Sequence, residues 1–122
     1  MQPLTQCGFS KYGEYFATSS YDRTCKIWDS STGALITALS GHRKAVFCLN
    51  FSHFSDKNLI ATGSFDHTAR LWDMKGKMLQ NFTGHTGEIT SVKFNPNGSY
   101  VSTSSLDSTA RLWDIETGKC LY

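Results

Sequence analysis

The chain has 122 residues, with 12 Lys or Arg against 10 Asp or Glu and a formal net charge of +2. Hydrophobic residues make up 39% of it and aromatic residues 13%, with 10 Gly and 2 Pro, a composition that excludes a disordered or collagen-like chain. No apolar run reaches the roughly 18 residues of a membrane-spanning helix, and a charge this small indicates neither nucleic acid nor a membrane surface as a partner.

The first unit, residues 1–40, has the pattern of four short strands. Its N-terminal residues have neither the basic nor the apolar region of a signal peptide, so we expect none. Residues 4–9 and 15–18 are predicted as strands because they fill the places of clearer strands later in the chain. Residues 20–29 read SYDRTCKIWD, which predicts a turn at Asp22 and a third strand ending in Trp-Asp. A polar turn over 30–33 then leads into a fourth strand over 34–39.

The second unit, residues 41–83, and the third, residues 84–122, repeat this pattern and add a Gly-His dipeptide at their start. Apolar and polar residues alternate over 46–51 and 89–94, as in half-buried strands. The second strands are predicted over 59–62 and 100–103. The third strands lie in the motifs SFDHTARLWD and SLDSTARLWD, at 64–73 and 105–114. The fourth strands are predicted over 77–82 and, only begun, over 119–122.

The three units are in register with one another. Trp28, Trp72 and Trp113 are 44 and 41 residues apart, and each follows an Asp by six positions. Helical periodicity is found nowhere. Four short antiparallel strands in a period of about 40 residues are typical of one blade of a β-propeller. The sequence therefore predicts an all-β chain of about three blades, which form an incomplete ring because propellers typically have four to eight.

These motifs resemble WD40 repeats, with Gly-His and Trp-Asp dipeptides on either side of an Asp-x-x-x-x-x-Trp core. The resemblance covers the whole chain and identifies residues 1–122 as a segment of a WD40 propeller. It implies a hydrogen-bonded network of His, Thr, Asp and Trp inside each blade. The implied members are His42, Thr62, Asp66 and Trp72 in the second unit, His85, Thr103, Asp107 and Trp113 in the third, and Thr18, Asp22 and Trp28 in the first, which has no Gly-His.

Such a network has a clear physical reason. An imidazole, a carboxylate and an indole N–H are each costly to bury alone, and they satisfy one another when joined. Loss of one partner should cost on the order of 1–3 kcal/mol.

The resemblance also implies a function, because WD40 propellers present one face of their disc to protein partners, usually without catalysis. The residues that typically reach this face precede the turn Asp or flank the first apolar residue of the innermost strand. In this chain they are Thr5, Tyr21, Ala45, Phe47, Phe65, Glu88, Thr90 and Leu106. For each of them, packing against a neighbouring blade is the alternative interpretation.

The first two units resemble more specifically the WD-repeat factors of outer-arm dynein assembly. The similarity lies in residues 3–5, 20–26, 41–43 and 61–66. It implies an adaptor for axonemal dynein assembly or intraflagellar transport, with dynein-arm or transport-complex proteins as partners, in the cytoplasm and the cilium or flagellum. The alternatives are a WD40 subunit of another complex, such as a ubiquitin-ligase substrate receptor or an RNA-processing assembly, and, from another class, an enzyme.

An enzyme is disfavoured because His, Ser and Asp recur together in register with the repeat, in the second and third units, whereas a catalytic triad occurs once, in a cleft. No glycine-rich phosphate loop is present either, so the sequence predicts no cofactor. His53 and His67 lack the spacing of metal ligands and are expected to be solvated, so no metal is predicted. Lys26, Arg70 and Arg111 share one position in the repeat and are expected on the blade surface.

The four cysteines form no C-x-x-C pair, so we expect free thiols in a reducing compartment that pack as small apolar residues. Cys25 occupies the same position as Ala69 and Ala110, which predicts a small core residue. Open blades at both ends would leave apolar sheet faces exposed. We therefore expect the remaining blades to come from a longer chain or from other copies.

Overall fold

The computed structural model describes residues 3–53 and 58–122, and the secondary structure of these residues is entirely β. All strand pairs are antiparallel, and neighbours in each sheet are consecutive in the chain, which confirms the predicted blades. The first blade contains β1 (Leu4–Phe9), β2 (Tyr15–Ser20), β3 (Cys25–Asp29) and β4 (Leu35–Leu39). The second contains β5 (Val46–Phe51), β6 (Ile60–Ser64), β7 (Ala69–Trp72) and β8 (Met78–Phe82), and the third contains β9 (Ile89–Phe94), β10 (Tyr100–Ser105) and β11 (Ala110–Asp114).

The last four residues run beside β11 without forming a full strand. Trp113 and Cys120 make an isolated bridge. The Leu121 N–H donates to the Leu112 carbonyl at 2.7 Å, and the Leu112 N–H donates to the Tyr122 carbonyl at 3.1 Å. These last four residues thus occupy the position of a fourth strand in the third blade, where a few backbone hydrogen bonds hold them.

The second strand of each blade extends two residues beyond its predicted end, to Ser20, Ser64 and Ser105. The reason is the serine itself. The Ser64 N–H donates to the Thr68 carbonyl at 3.1 Å, and the Ser64 hydroxyl accepts the Asp66 N–H at 3.0 Å. Because the serine closes the turn from both sides, β6 pairs with β5 up to Ser64.

The hydrophobic core consists of two layers between adjacent blades, and β5 contacts both β1 and β9. The layer between the first and second blades contains Ala17, Cys25, Ile27, Leu39, Val46, Leu49, Phe51, Ile60 and Trp72. The layer between the second and third contains Cys48, Ala61, Ala69, Leu71, Phe82, Ile89, Val92, Val101 and Trp113. Each blade is therefore stabilised by its neighbour, as burial of apolar area requires.

A close approach between the second and third blades occurs at Gly63. A Cβ atom there would lie 2.5 Å from Ile89 Cγ2 and 2.6 Å from Cys48 Sγ. Since real side chains do not approach so closely, the packing of β9 against β6 requires glycine at this position.

Exposed apolar side chains include two on β1 of the first blade and one in a turn of the third blade. Leu4 and Phe9 on β1 are 67% and 61% exposed, and Leu106 in the third blade is 66% exposed. Trp28 in the first blade is half-buried, whereas Trp72 and Trp113 are buried. No described residue belongs to a helix that could cross a membrane.

The prediction that all four cysteines pack as small apolar residues is wrong for two of them. Cys25 and Cys48 are buried, and burial raises the pKa of both thiols to about 12. Cys7 and Cys120 are exposed, because neither β1 nor residues 119–122 have a blade packed against their outward side. All four are free thiols.

Candidate functional site

One end of the three sheets carries most of the sequence-predicted site residues. We call it the upper end and define it by the turns at 21–24, 65–68 and 106–109 and the connections at 40–45 and 83–88. Antiparallel pairing places these segments together, since Ala69 at the start of β7 is opposite Phe82 at the end of β8. The turns at 73–77 and 115–118 lie at the opposite end.

The second blade holds a chain of hydrogen bonds from its Trp to its Asp. The Trp72 indole N–H donates to Thr62 Oγ1 at 2.8 Å, and Thr62 Oγ1 lies 2.8 Å from His42 Nε2. His42 Nδ1 lies 2.9 Å from Asp66 Oδ2. Because a carboxylate only accepts, Nδ1 carries the proton, and Nε2 of a neutral imidazole accepts from the Thr62 hydroxyl. Every donor and acceptor in this chain is thereby satisfied.

The third blade repeats the same chain closely. His85 Nδ1 lies 2.9 Å from Asp107 Oδ2, and His85 Nε2 lies 2.7 Å from Thr103 Oγ1. The Trp113 indole N–H donates to Thr103 Oγ1 at 2.9 Å.

The two carboxylates are further held by the turns around them. Asp66 accepts the Arg43 N–H at 2.9 Å, and it accepts the Thr68 N–H and hydroxyl at 2.9 and 2.6 Å. Burial alone would raise the pKa of Asp66, but hydrogen bonds from His42, Thr68 and the Arg43 N–H outweigh it and hold this pKa well below its usual range. The pKa of Asp107 is also lowered, first by the hydrogen bond from Thr109 and then by that from His85, against the opposing effect of burial.

The lowered pKa of Asp66 makes stability depend on pH. A carboxyl group with a depressed folded-state pKa contributes stability above its unfolded value of about 3.9, and that stability is lost as the pH falls through the folded-state pKa. We expect Asp66→Asn to be less stable than the wild type at pH 7 and to lose less additional stability between about pH 5 and pH 2. Urea denaturation across this range would test it, with Glu116→Gln in an exposed turn as the control. Parallel pH curves for the wild type and Asp66→Asn would contradict it.

The local backbone conformation and a close contact explain why each Gly-His dipeptide has glycine at its first position. Gly41 and Gly84 have φ values of 140° and 143°, which favour glycine. A Cβ atom at either position would collide with a guanidinium nitrogen, of Arg70 at Gly41 and of Arg111 at Gly84.

Lys26, Arg70 and Arg111 at the shared basic position are half-buried, so the expected surface position is only partly correct. The Arg70 Nε atom is buried, and the Arg111 guanidinium lies over the Trp113 ring at 6.0 Å. In the first blade the residue at this position is Lys26, whose Nζ lies 3.7 Å from Asp22 Oδ2.

The first blade has three of the four network groups. The Trp28 indole N–H donates to Thr18 Oγ1 at 3.1 Å. Asp22 accepts the Thr24 N–H at 2.9 Å and the Thr24 hydroxyl at 2.5 Å. Thr18, Asp22 and Trp28 line an open cleft of about 600 Å³ on the outward face of this blade.

Three aromatic side chains of the upper end are in contact across the first two blades. The ring centroids of Tyr21 and Phe65 are 6.0 Å apart, and those of Phe65 and Phe47 are 5.0 Å apart. Tyr21 is 43% exposed, while Phe47 and Phe65 are half-buried. We call these three residues the aromatic cluster; it combines packing between blades with an exposed apolar surface.

The other residues predicted for this face are more dispersed. Leu106 is exposed at the corresponding turn of the third blade. The Ala45 carbonyl accepts the Phe65 N–H at 3.0 Å, next to the aromatic cluster. The Thr5 hydroxyl donates to the Val46 carbonyl at 2.7 Å and so joins the first two blades.

Thr90 and Glu88 belong to the third blade. The Thr90 hydroxyl lies 3.1 Å from Ser104 Oγ, within the sheet. Glu88 Oε1 lies 4.0 Å from His67 Nε2, and the His67 side chain is 39% exposed beside this carboxylate. His53 is exposed, and its Nε2 lies 3.1 Å from the Phe9 carbonyl. No cluster that could hold a metal ion is present in residues 3–53 and 58–122.

Two polar residues that join the blades have no counterpart in the sequence pattern. Gln6 Oε1 accepts the Leu49 N–H at 2.9 Å, and Asn50 Oδ1 accepts the Phe94 N–H at 3.0 Å. The two residues occupy different positions of their repeats, so no periodic signal marks them.

A model of the family described as "WD domain, G-beta repeat" matches residues 2–29, 33–73 and 76–114. Dynein assembly factor with WD repeat domains 1 from Homo sapiens is 48% identical over 99 residues, which cover 81% of this chain and 24% of the human protein. Its counterpart from Danio rerio is 49% identical over 56 residues, which cover 45% of this chain and 14% of that protein. Pre-mRNA-processing factor 17 from Homo sapiens is 34% identical over 88 residues, or 70% of this chain and 15% of the human protein. This chain therefore spans no more than about a quarter of the length of these relatives.

Proposed function

Because the chain belongs to the WD40-repeat family, we propose that it is a non-catalytic scaffold whose upper end binds another protein. The aromatic cluster carries this proposal. Rigid aromatic side chains contribute a large contact area at a low entropic cost, and they are enriched among residues that dominate binding energy.

We further propose that the protein acts as an adaptor in outer-arm dynein assembly or intraflagellar transport, in the cytoplasm and the cilium. The support is the 48% identity to the human dynein assembly factor over 81% of the chain. A subunit of an RNA-processing assembly is the second candidate, supported by the 34% identity to the human pre-mRNA-processing factor over 70% of the chain.

The histidine networks support a structural and not a catalytic role. A nucleophilic hydroxyl must face a substrate, yet Thr62 and Thr103 are buried, and both of their hydroxyls already join an indole and an imidazole. Two blades hold the same arrangement, whereas an active site needs one cleft with a nucleophile, a base and room for a reacting atom.

The binding proposal predicts a selective loss of partner capture. We expect Tyr21→Ala combined with Phe65→Ala to weaken capture by on the order of tenfold or more, because the pair removes the exposed Tyr21 ring and the half-buried Phe65 ring in contact with it. The tagged protein would be recovered from the cytosol of ciliated cells, and its partners identified and quantified by mass spectrometry. Axonemal dynein or transport-complex subunits would support the first role, and splicing proteins the second.

Leu35→Ala is the matched control, since it changes an exposed apolar residue at the start of β4, at the end of the sheet opposite the aromatic cluster. Phe65 packs on Phe47, so a thermal melt must accompany each variant. Unchanged capture by a folded double variant would remove the aromatic cluster from the interface. Turnover of a substrate abolished by His42→Ala in a protein of unchanged melting temperature would overturn the scaffold role.

A further inference from the structure

Three cations surround the aromatic cluster. Arg23, Arg43 and Lys44 are exposed. Arg23 is two residues after Tyr21 in the same turn. The Lys44 carbonyl lies 3.2 Å from the Ser64 hydroxyl, which donates to it, so Arg43 and Lys44 flank the turn that carries Phe65.

Within the described part of the chain, these cations take part in no ion pair. Of the carboxylates at the upper end, Asp22 lies 3.7 Å from Lys26, and Asp66 and Asp107 point into the histidine networks with side chains only 6% and 9% exposed, whereas the Glu88 side chain is 38% exposed. Arg23, Arg43 and Lys44 therefore leave an excess of exposed positive charge around the aromatic cluster.

We propose that the upper end of the first two blades binds an acidic protein segment that carries a large apolar side chain. The apolar side chain packs on the aromatic cluster, and the flanking carboxylates contact Arg23, Arg43 and Lys44. Guanidinium groups bind carboxylates through two parallel hydrogen bonds, which fixes the orientation of the segment. This inference rests on the proposed function, because it names the class of partner for the same face.

A single-stranded nucleic acid also combines negative charge with flat rings, but the cluster fits it less well. Base binding uses free aromatic faces. Phe47 and Phe65 stack on each other at an interplanar angle of 24°, and Tyr21 is tilted by 53° against Phe65. Phe47 and Phe65 use their ring faces on one another, which leaves less free ring face for a stacked base.

The test is a binding titration of the folded protein with a fluorescein-labelled synthetic peptide in which one Trp is flanked on each side by Glu and Asp. We expect saturable binding that weakens as salt rises from about 0.05 to about 0.5 M, because the contacts are exposed and screened. Replacement of Arg23, Arg43 and Lys44 by Gln should weaken binding about tenfold. The matched control replaces Lys75, Lys77 and Lys119 by Gln, since these cations lie in exposed turns at the opposite end, and should leave binding unchanged.

Several results would overturn the inference. They are an absence of saturable binding, equal binding of a peptide with Lys in place of Glu and Asp, an equal loss in both triple variants, or tighter binding of an oligothymidine through the same three cations. Partner capture from ciliated cells separates the two proposals. Capture lost with Tyr21→Ala and Phe65→Ala but retained in the triple variant of Arg23, Arg43 and Lys44 would overturn the acidic partner alone.

Discussion

Trp72→Ala should lower the free energy of unfolding by about 3–5 kcal/mol, the usual cost of truncating a buried tryptophan. Trp72 is 2% exposed and packs in the layer between the first two blades. The substitution removes this apolar contact and also the indole N–H that donates to Thr62. The measurement is urea denaturation at pH 7, monitored by circular dichroism.

Two further variants separate the contributions. Trp72→Phe keeps most of the ring but removes the donor, and we expect it to cost less than Trp72→Ala. Trp28→Ala changes the corresponding residue of the first blade, where the side chain is half-buried, and should also cost less. Equal losses for Trp28→Ala and Trp72→Ala would mean that burial between blades is not what stabilises this position.

The blade architecture could be predicted because its signals are local and recur. The Trp-Asp dipeptide marks the same point of all three repeats, the Gly-His dipeptide marks the start of the second and third, and polar turns separate the strands within each blade. The ends of β2, β6 and β10 were harder to predict, because a serine can equally well end a strand or begin a turn. Ser64 does both, since its hydroxyl closes the turn while its backbone still pairs with β5.

The same distinction between recurring local signals and other contacts applies to the residues of the candidate site. Residues that recur at fixed positions, such as His42 and His85, can be identified from sequence alone. Their contribution to stability stays a prediction, which the substitutions described here would test. Contacts between blades cannot be identified in this way. Gln6 and Asn50 each accept a backbone N–H from the next blade, but their positions in the repeat differ.

Contacts across several strands escape sequence reasoning for a geometric reason. Tyr21, Phe47 and Phe65 come from two turns and one innermost strand, and their contact depends on how two blades are rotated against each other. The close approach of the half-buried Arg70 side chain to Gly41 depends on the path of the chain from one blade to the next. A repeat pattern specifies each blade but not the angle between blades.

His42→Ala should lower the free energy of unfolding by about 2–3 kcal/mol, because it leaves buried polar groups without a partner. The imidazole lies 2.9 Å from Asp66 Oδ2 and 2.8 Å from Thr62 Oγ1, and alanine replaces neither contact. His53→Ala is the control, since that side chain is exposed and should cost little. Urea denaturation of both variants gives the comparison.

A double-mutant cycle decides whether His42 acts through the network. If His42 and Asp66 stabilise the blade through each other, removing both should cost less than the sum of the single losses, because Asp66→Ala also removes the carboxylate that His42→Ala leaves unpaired. Residues that act independently would give additive losses within about 0.5 kcal/mol. Additivity would contradict the network as the unit of stability. A coupled loss would place His42 in the structure of the blade and leave the aromatic cluster as the surface on which binding should be sought.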